Sequence, residues 1–126
     1  MKAIVITLPL PPQAMYPNAR KHWKAKMGPK KQQRSDAYMA AFNSTTGSGQ
    51  PRPRWQLAEC QATFYLERRR DGDNLIAWLK ATFDGLEDAG IVENDGNFIH
   101  LPPQQITGKH AKGERKVVLT ITPRNQ

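Results

Sequence analysis

Alternation of apolar and polar residues predicts β-strands along much of the chain. Residues 2–8 (KAIVITL) are rich in β-branched residues and stop at prolines, and residues 55–66 (WQLAECQATFYL) alternate over a longer stretch. Residues 115–122 (RKVVLTIT) form a similar segment, and residues 97–101 are a shorter candidate. Because successive side chains of a strand point to opposite faces, each of these segments can bury one face.

A helical period replaces the alternation between residues 73 and 89. Apolar residues there recur at a spacing of three or four, namely Leu75, Trp78, Leu79, Phe83 and Leu86. This spacing predicts one amphipathic helix with a buried stripe, which Gly90 is well placed to end. A weaker pattern predicts a second helix over residues 30–43.

The segments between these elements are expected to be irregular. Residues 13–29 are predicted to form a long loop, residues 43–53 (NSTTGSGQPRP) a flexible connection, and residues 104–113 a polar loop or hairpin tip. The order β, α, β, α, β, β predicts an α/β (α+β) fold. We expect a single domain over residues 1–126, with a small mixed β-sheet and two main helices.

The chain has few features of an exported or membrane protein. It contains no run of about 18 apolar residues, and its N-terminal apolar run alternates as a strand does. We therefore expect no membrane partner and a cytoplasmic location. The single cysteine, Cys60, excludes an internal disulfide and a multi-cysteine zinc site, and its strand-like neighbours predict a buried side chain.

Charge is distributed unevenly along the chain, whose formal net charge is +8. Residues 1–56 carry ten basic residues and one acid, residues 57–107 four and nine, and residues 108–126 five and one. Basic excess favours a polyanionic partner, because Lys and Arg release counterions from a phosphate backbone. An acidic island inside a basic chain is reconciled with that partner if the carboxylates hold a divalent metal ion.

The acidic island centres on the motif RRRDGDN (residues 68–74), which joins a predicted strand to the predicted helix. Asp71 and Asp73 lie two residues apart, so their carboxylates can converge on one Mg²⁺ ion, with Mn²⁺ as a substitute. Asp95, beyond the helix, can supply a third carboxylate. Lys80 can place positive charge near a reacting phosphate.

Each of these residues also has a purely structural interpretation. Asp71 and Asp73 suit the N-terminus of a helix as capping and dipole-neutralising acids. Asp84 can pair with Lys80 one turn away, and Asp95 beside Gly96 can belong to a turn.

Candidate DNA contacts are the basic residues of the first half and of the motif, namely Arg20, Lys21, Lys24, Lys26, Arg68, Arg69 and Arg70. Trp23 lies among the first of these and can either stack on unpaired bases or close the core. The three histidines do not share metal-ligand spacing, so we do not expect them to bind the metal.

Taken together, these motifs resemble the RusA family of Holliday-junction resolvases over nearly the whole chain. The family opens with a strand and a Pro-Pro loop, as residues 6–12 (ITLPLPP) do, and residues 68–75 (RRRDGDNL) resemble its central motif. Residues 80–86 (KATFDGL) resemble its lysine-led stretch, and Ala89-Gly90 followed by residues 93–95 (END) its further acidic turn. The block from 68 to 95 is specific in combination.

The resemblance implies metal-dependent cleavage of four-way DNA junctions by a homodimer, in a bacterial or phage setting. Carried over by position, it makes Asp71, Asp73 and Asp95 the metal-binding acids and Lys80 the catalytic lysine. Lys80 follows Asp73 at a longer spacing than is usual in the family, and Asn94 stands where many members have an acid. A non-catalytic junction-binding relative is therefore a second hypothesis. A magnesium phosphotransferase acting on nucleotides is disfavoured, because no Walker-type loop is present.

Overall fold

Five β-strands form one mixed sheet in the computed structural model, which describes residues 3–20 and 22–124 and, for Asp95, the backbone alone. The strands are β1 (Ile4–Pro9), β2 (Ala58–Leu66), β3 (Phe98–His100), β4 (Gln104–Thr107) and β5 (Lys116–Pro123). The central strand β2 alternates strictly between buried and half-buried residues, as its sequence predicts.

The sheet combines antiparallel and parallel pairing. β5 lies between β1 and β2 and is antiparallel to both, whereas β3 and β4 run parallel to β2 along its other side. The prediction of a mixed α/β (α+β) sheet is confirmed. The prediction of a loop or hairpin over residues 104–113 is wrong in its first part, because β4 pairs with the second half of β2.

The predicted helix over residues 73–89 is two helices, α2 (Gly72–Trp78) and α3 (Lys80–Asp88). Leu79 separates them, and its backbone N–H donates to the carbonyl oxygen of Ile76, three residues back. The tighter turn at Leu79 leaves the apolar stripe buried on both sides of the break. Lys80 is consequently the first residue of a helix and does not lie in the middle of one.

The first helix, α1 (Trp23–Ser44), is longer than predicted and begins inside the segment predicted to be a loop. His22 caps it, since its Nδ1 atom accepts a hydrogen bond from the backbone N–H of Lys24 at 3.2 Å. The helix continues through Pro29, which supplies no backbone donor. The connection after α1 is also more ordered than predicted, because Thr45 is buried and donates to the carbonyl oxygen of Ala41.

The core lies between the sheet and the three helices. Cys60 is buried in it, as predicted, and burial raises the pKa of its thiol to about 12. Small residues let α1 approach α3 closely: a Cβ atom at Gly85 would lie 2.8 Å from the Cβ of Ala37. Gln33 is buried at the same contact and donates to the carbonyl oxygen of Trp78 and to Thr82. Among the described residues, no helix has the length and apolar character needed to cross a membrane.

Candidate functional site

A cleft of about 760 Å³ lies where the chain leaves β2 and enters α2. One wall is the predicted motif, with Arg69, Arg70, Asp71 and Asp73. The opposite wall is residues 101–103, which join β3 to β4 beside the middle of β2, between the pairs Cys60–His100 and Thr63–Gln104.

Asp71 holds the start of α2. Its Oδ1 atom accepts hydrogen bonds from the backbone N–H groups of Asp73 at 2.9 Å and Asn74 at 3.2 Å. The structural interpretation of this residue as a helix cap is therefore confirmed, and both bonds use the same carboxylate oxygen. Asp73 lies in the first turn of the helix and, like Asp71, has an exposed side chain in the cleft.

Arg70 is fixed from two directions at the edge of this cleft. Its backbone N–H donates to Oε1 of Gln105, and Nε2 of the same glutamine donates back to the Arg70 carbonyl, both at 2.8 Å. Its guanidinium carbon lies 4.9 Å from the ring centre of Tyr16 and 5.1 Å from that of Trp78. This positions a cation beside the two carboxylates with little freedom to move.

His100 lines the cleft as well, a position that the sequence analysis did not anticipate. Its ring centre is 4.5 Å from that of Phe83, and burial lowers the pKa of its imidazole below the ordinary value. The imidazole is therefore neutral near pH 7 and able to accept a proton or a metal ion. The sequence could have indicated it only through the parallel pairing of β3 with β2.

A second cleft, of about 350 Å³, adjoins the first and is strongly basic. Arg68, Arg69, Arg70 and Arg115 line it, and Arg69 and Arg70 line both clefts. Glu67 is the acid in its lining and lies 3.5 Å from Arg115. Bringing Arg115 to the predicted arginine run creates a continuous cationic surface next to the carboxylates.

Lys80 is not among the described residues that line the 760 Å³ cleft. Its Nζ atom donates to Oδ1 of Asp84 at 2.9 Å, the helical pair that was one of its two interpretations. The Lys80 side chain is 68% exposed.

The third predicted acid, Asp95, belongs to a short 3₁₀ turn, Asp95–Asn97, but its side chain lies outside the described residues. Asn94 caps that turn: its Oδ1 atom accepts from the backbone N–H of Gly96 at 2.9 Å. The turn interpretation of this segment is thus confirmed, and the convergence of Asp95 with the other two acids stays a prediction.

Of the candidate DNA contacts in the first half of the chain, Lys24 and Lys26 lie at the start of α1, and Arg20 precedes it. Arg20 and Lys24 are exposed and Lys26 is half-buried, whereas Lys21 lies outside the described residues. Trp23 is 61% exposed, so the interpretation that it closes the core is wrong.

The donor set partly matches a magnesium site. Within the described residues no three His, Cys, Asp or Glu side chains form a group that could hold a metal ion. Asp71 and Asp73 nevertheless bring two carboxylates to one cleft. Mg²⁺ is commonly held by one or two carboxylates, with water and substrate phosphate oxygens completing its shell. The two aspartates therefore supply the carboxylates that this kind of site needs, and water and substrate oxygens would complete the shell.

Comparison with known proteins gives one informative relative. No family model matches the chain. A protein of Xylella fastidiosa strain Temecula1, described only as uncharacterized, is 35% identical over 120 residues, which cover 93% of this chain and 74% of the relative. An alignment of this length includes the cleft and all three helices. The chain therefore belongs to the same protein family as this Xylella protein.

Proposed function

We propose that the protein is a metal-dependent endodeoxyribonuclease that cleaves branched DNA, with the four-way Holliday junction as its substrate. The observation that carries the proposal is the sharing of one cleft by Asp71 and Asp73 with Arg69 and Arg70. Two acids alone would repel a phosphodiester, and arginines alone would bind it without cutting. Their combination suits metal-assisted hydrolysis of a phosphodiester. The resemblance to RusA resolvases supports the same reaction.

In this proposal Asp71 and Asp73 hold a Mg²⁺ or Mn²⁺ ion, and Asp95 is the third ligand. When bound, the ion supplies an activated water and neutralises charge on the scissile phosphate. Oδ1 of Asp71 orients the helix and the carboxylate together, because it already accepts two backbone hydrogen bonds. Asp73, in the first turn of α2, is carried to the cleft by the same cap.

The arginines bind the substrate beside the carboxylates. Arg70 lies against two aromatic rings that contact each other, and it contributes a fixed positive charge at the cleft. Arg68, Arg69 and Arg115 extend this charge into the second cleft, where they contact the phosphate backbone. Lys80 supplies further positive charge to the transition state, since an exposed lysine stem can exchange Asp84 for a phosphate.

A homodimer fits this substrate, because a four-way junction needs two symmetrically related phosphodiesters cut. The two copies would each present one carboxylate cleft. Branched DNA of this kind arises in the cytoplasm of a bacterial cell, which is where we place the protein.

A second candidate function is junction binding without efficient cleavage. The observations in its favour are the capping role of Asp71 and the Lys80–Asp84 pair, each of which gives a candidate catalytic group a structural partner. Such a relative would keep the arginine surface and lose the chemistry.

The test is incubation of the purified protein with a labelled four-way junction and with a linear duplex of matched sequence, in Mg²⁺, Mn²⁺ or EDTA. The proposal predicts paired, symmetric nicks in the junction alone and in either metal, and none in EDTA. Asp73→Asn should abolish nicking in both metals. Asp36→Asn is its matched control, because Asp36 lies on α1, where its Oδ1 atom accepts a hydrogen bond from Gln32 outside the cleft. It should cut normally.

Tight junction binding without nicks in either metal would support the second candidate. Absence of both binding and nicking would contradict both, and would direct attention to nucleotide substrates.

A further inference from the structure

The first ten residues of α1, Trp23–Gln32, form a helical segment in which no residue is buried; we name it the α1 arm. Trp23 and Met27 are 61% and 59% exposed, and four residues apart they share one face of the helix. Leaving a tryptophan side chain in water has an unfavourable free energy, because its large apolar surface stays hydrated. The arm thus exposes an apolar patch that lies outside the core.

The arm is followed directly by the part of α1 that packs against the other helices, which we call the anchor. Gln33 contacts Trp78 and Thr82, whereas Arg34, one residue later, pairs with Asp88. The arm lies N-terminal to these contacts between α1 and α3. Its ten residues span roughly 15 Å, and among them Lys26 and Pro29 are half-buried.

The charged side chains of the arm and of the residues that precede it are all positive. No Asp or Glu occurs before Asp36, and the exposed basic residues include Arg20, Lys24, Lys30 and Lys31. The Nζ atom of Lys24 lies 5.6 Å from the ring centre of Trp23, so a cation accompanies the exposed indole. A partner of this surface is negatively charged and offers a flat apolar face to the indole.

Nucleic acid with unpaired bases meets both requirements, because phosphates neutralise the lysines and a base stacks on the indole. An anionic membrane surface meets the first requirement only. A membrane-binding helix needs a continuous apolar face, and the arm offers Trp23 and Met27 against its lysines. Paired duplex DNA satisfies the lysines but keeps its bases stacked on one another.

We propose that the α1 arm binds unpaired nucleotides, with Trp23 stacking on a base and the neighbouring lysines on the flanking phosphates. The inference rests on the proposed function for the identity of the polyanion, DNA. It adds a contact that distinguishes open strands at a branch point from continuous duplex.

The experiment measures binding in EDTA, so that it does not depend on cleavage. Quenching of tryptophan fluorescence and fluorescence anisotropy of a labelled strand are followed with a single-stranded oligothymidine and with a blunt-ended linear duplex of matched length. Trp23→Ala should weaken oligothymidine binding by about ten-fold or more. It should change duplex binding much less, because the lysines remain. Trp23→Phe should restore most of the loss, since a smaller ring still stacks.

Met39→Ala is the matched control, because Met39 is 50% exposed on the same helix beyond the arm, and it should bind as wild type does. An equal loss on both DNAs, or no loss with oligothymidine, would overturn the inference. The inference would also be overturned if Trp23→Ala kept its oligothymidine binding and instead lost binding to phosphatidylserine vesicles or lost self-association. Each result is independent of nicking, so failure of cleavage and failure of the arm are told apart.

Discussion

The carboxylate cleft and the α1 arm hold their functional side chains in opposite ways. In the cleft, Arg70 is fixed by Gln105 and by two aromatic rings, and Asp71 is bonded to the helix that it starts. In the arm, Trp23 is mostly in water and rests on a helix without buried residues. Removal of the supporting hydrogen bonds in the cleft should therefore alter stability and function together, whereas truncation of the exposed Trp23 side chain should alter binding alone.

The largest effect is expected where α1 is anchored. Gly85→Ala places a methyl group 2.8 Å from the Cβ of Ala37 and against the backbone of Arg34, so α1 and α3 must separate. We expect a loss of about 3 kcal/mol in the free energy of unfolding, measured by urea denaturation.

Gly28→Ala is the matched substitution in the arm, where an added Cβ would meet nothing within 4 Å. It should change the free energy of unfolding by less than about 1 kcal/mol, because the helix propensity gained with alanine is opposed by the steric cost of a Cβ before Pro29. Equal destabilisation by Gly85→Ala and Gly28→Ala would show that the arm is packed as tightly as the contact between α1 and α3.

A smaller effect is expected at the support of the cleft. Gln105→Ala deletes two hydrogen bonds to the backbone of Arg70 and should cost about 1–2 kcal/mol in the free energy of unfolding. It should also weaken junction binding, because Arg70 loses its fixed position. The adjacent Gln104→Ala, which affects an exposed bond to Thr63, should change stability by less than about 0.5 kcal/mol. Equal free energies of unfolding for the two variants would show that the hydrogen bonds between Gln105 and Arg70 do not stabilise the fold.

Two substitutions at Asp71 separate its capping role from its chemical role. Asparagine caps a helix about as well as aspartate, so Asp71→Asn should keep the free energy of unfolding and lose junction cleavage. Asp71→Ala should lose both, with a cost of about 1 kcal/mol for the cap. Thermal denaturation measures the contribution of the cap to stability, and the nicking assay measures cleavage. Normal cleavage by Asp71→Asn would assign the residue to capping alone.

The smallest effect concerns pH. Burial lowers the pKa of His100 from its ordinary value of 6.5, so the unfolded chain takes up this proton at a higher pH than the folded chain. The folded state is thus favoured above pH 6.5 and loses that advantage as the pH falls from 6.5 to the folded-state pKa. His100→Gln should flatten this part of the stability profile, measured by denaturation on both sides of pH 6.5. An unchanged difference between the two pH values would argue against a lowered pKa of the His100 imidazole.

Sequence patterns predicted the elements that bury one face. Strands β1, β2 and β5 alternate, and their positions follow from that alternation. The arm was missed because it buries nothing and includes Gly28 and Pro29, which locally disfavour a helix. Strand β4 (QQIT) was missed because it is short and polar and is stabilised by pairing with β2.

At the candidate site, the sequence motif predicted the cleft residues that belong to one segment of the chain. The structure adds cleft residues that come from distant segments. Asp71, Asp73 and the arginine run were found because they are adjacent in sequence. His100, Gln105 and Arg115 reach the clefts only through strand pairing, so no local spacing announces them. The break at Leu79 has no glycine or proline to mark it, and the position of Lys80 at a helix start was correspondingly missed.

The central claim is that Asp71 and Asp73 hold a divalent ion in the cleft. Its most direct test is Mn²⁺ binding to the protein without DNA, followed by electron paramagnetic resonance of the free ion, for the wild type, Asp73→Asn and the Asp36→Asn control. We predict saturable binding by the wild type and by the control, and its loss in Asp73→Asn with the fold intact by circular dichroism. Equal Mn²⁺ binding by all three proteins would contradict the claim.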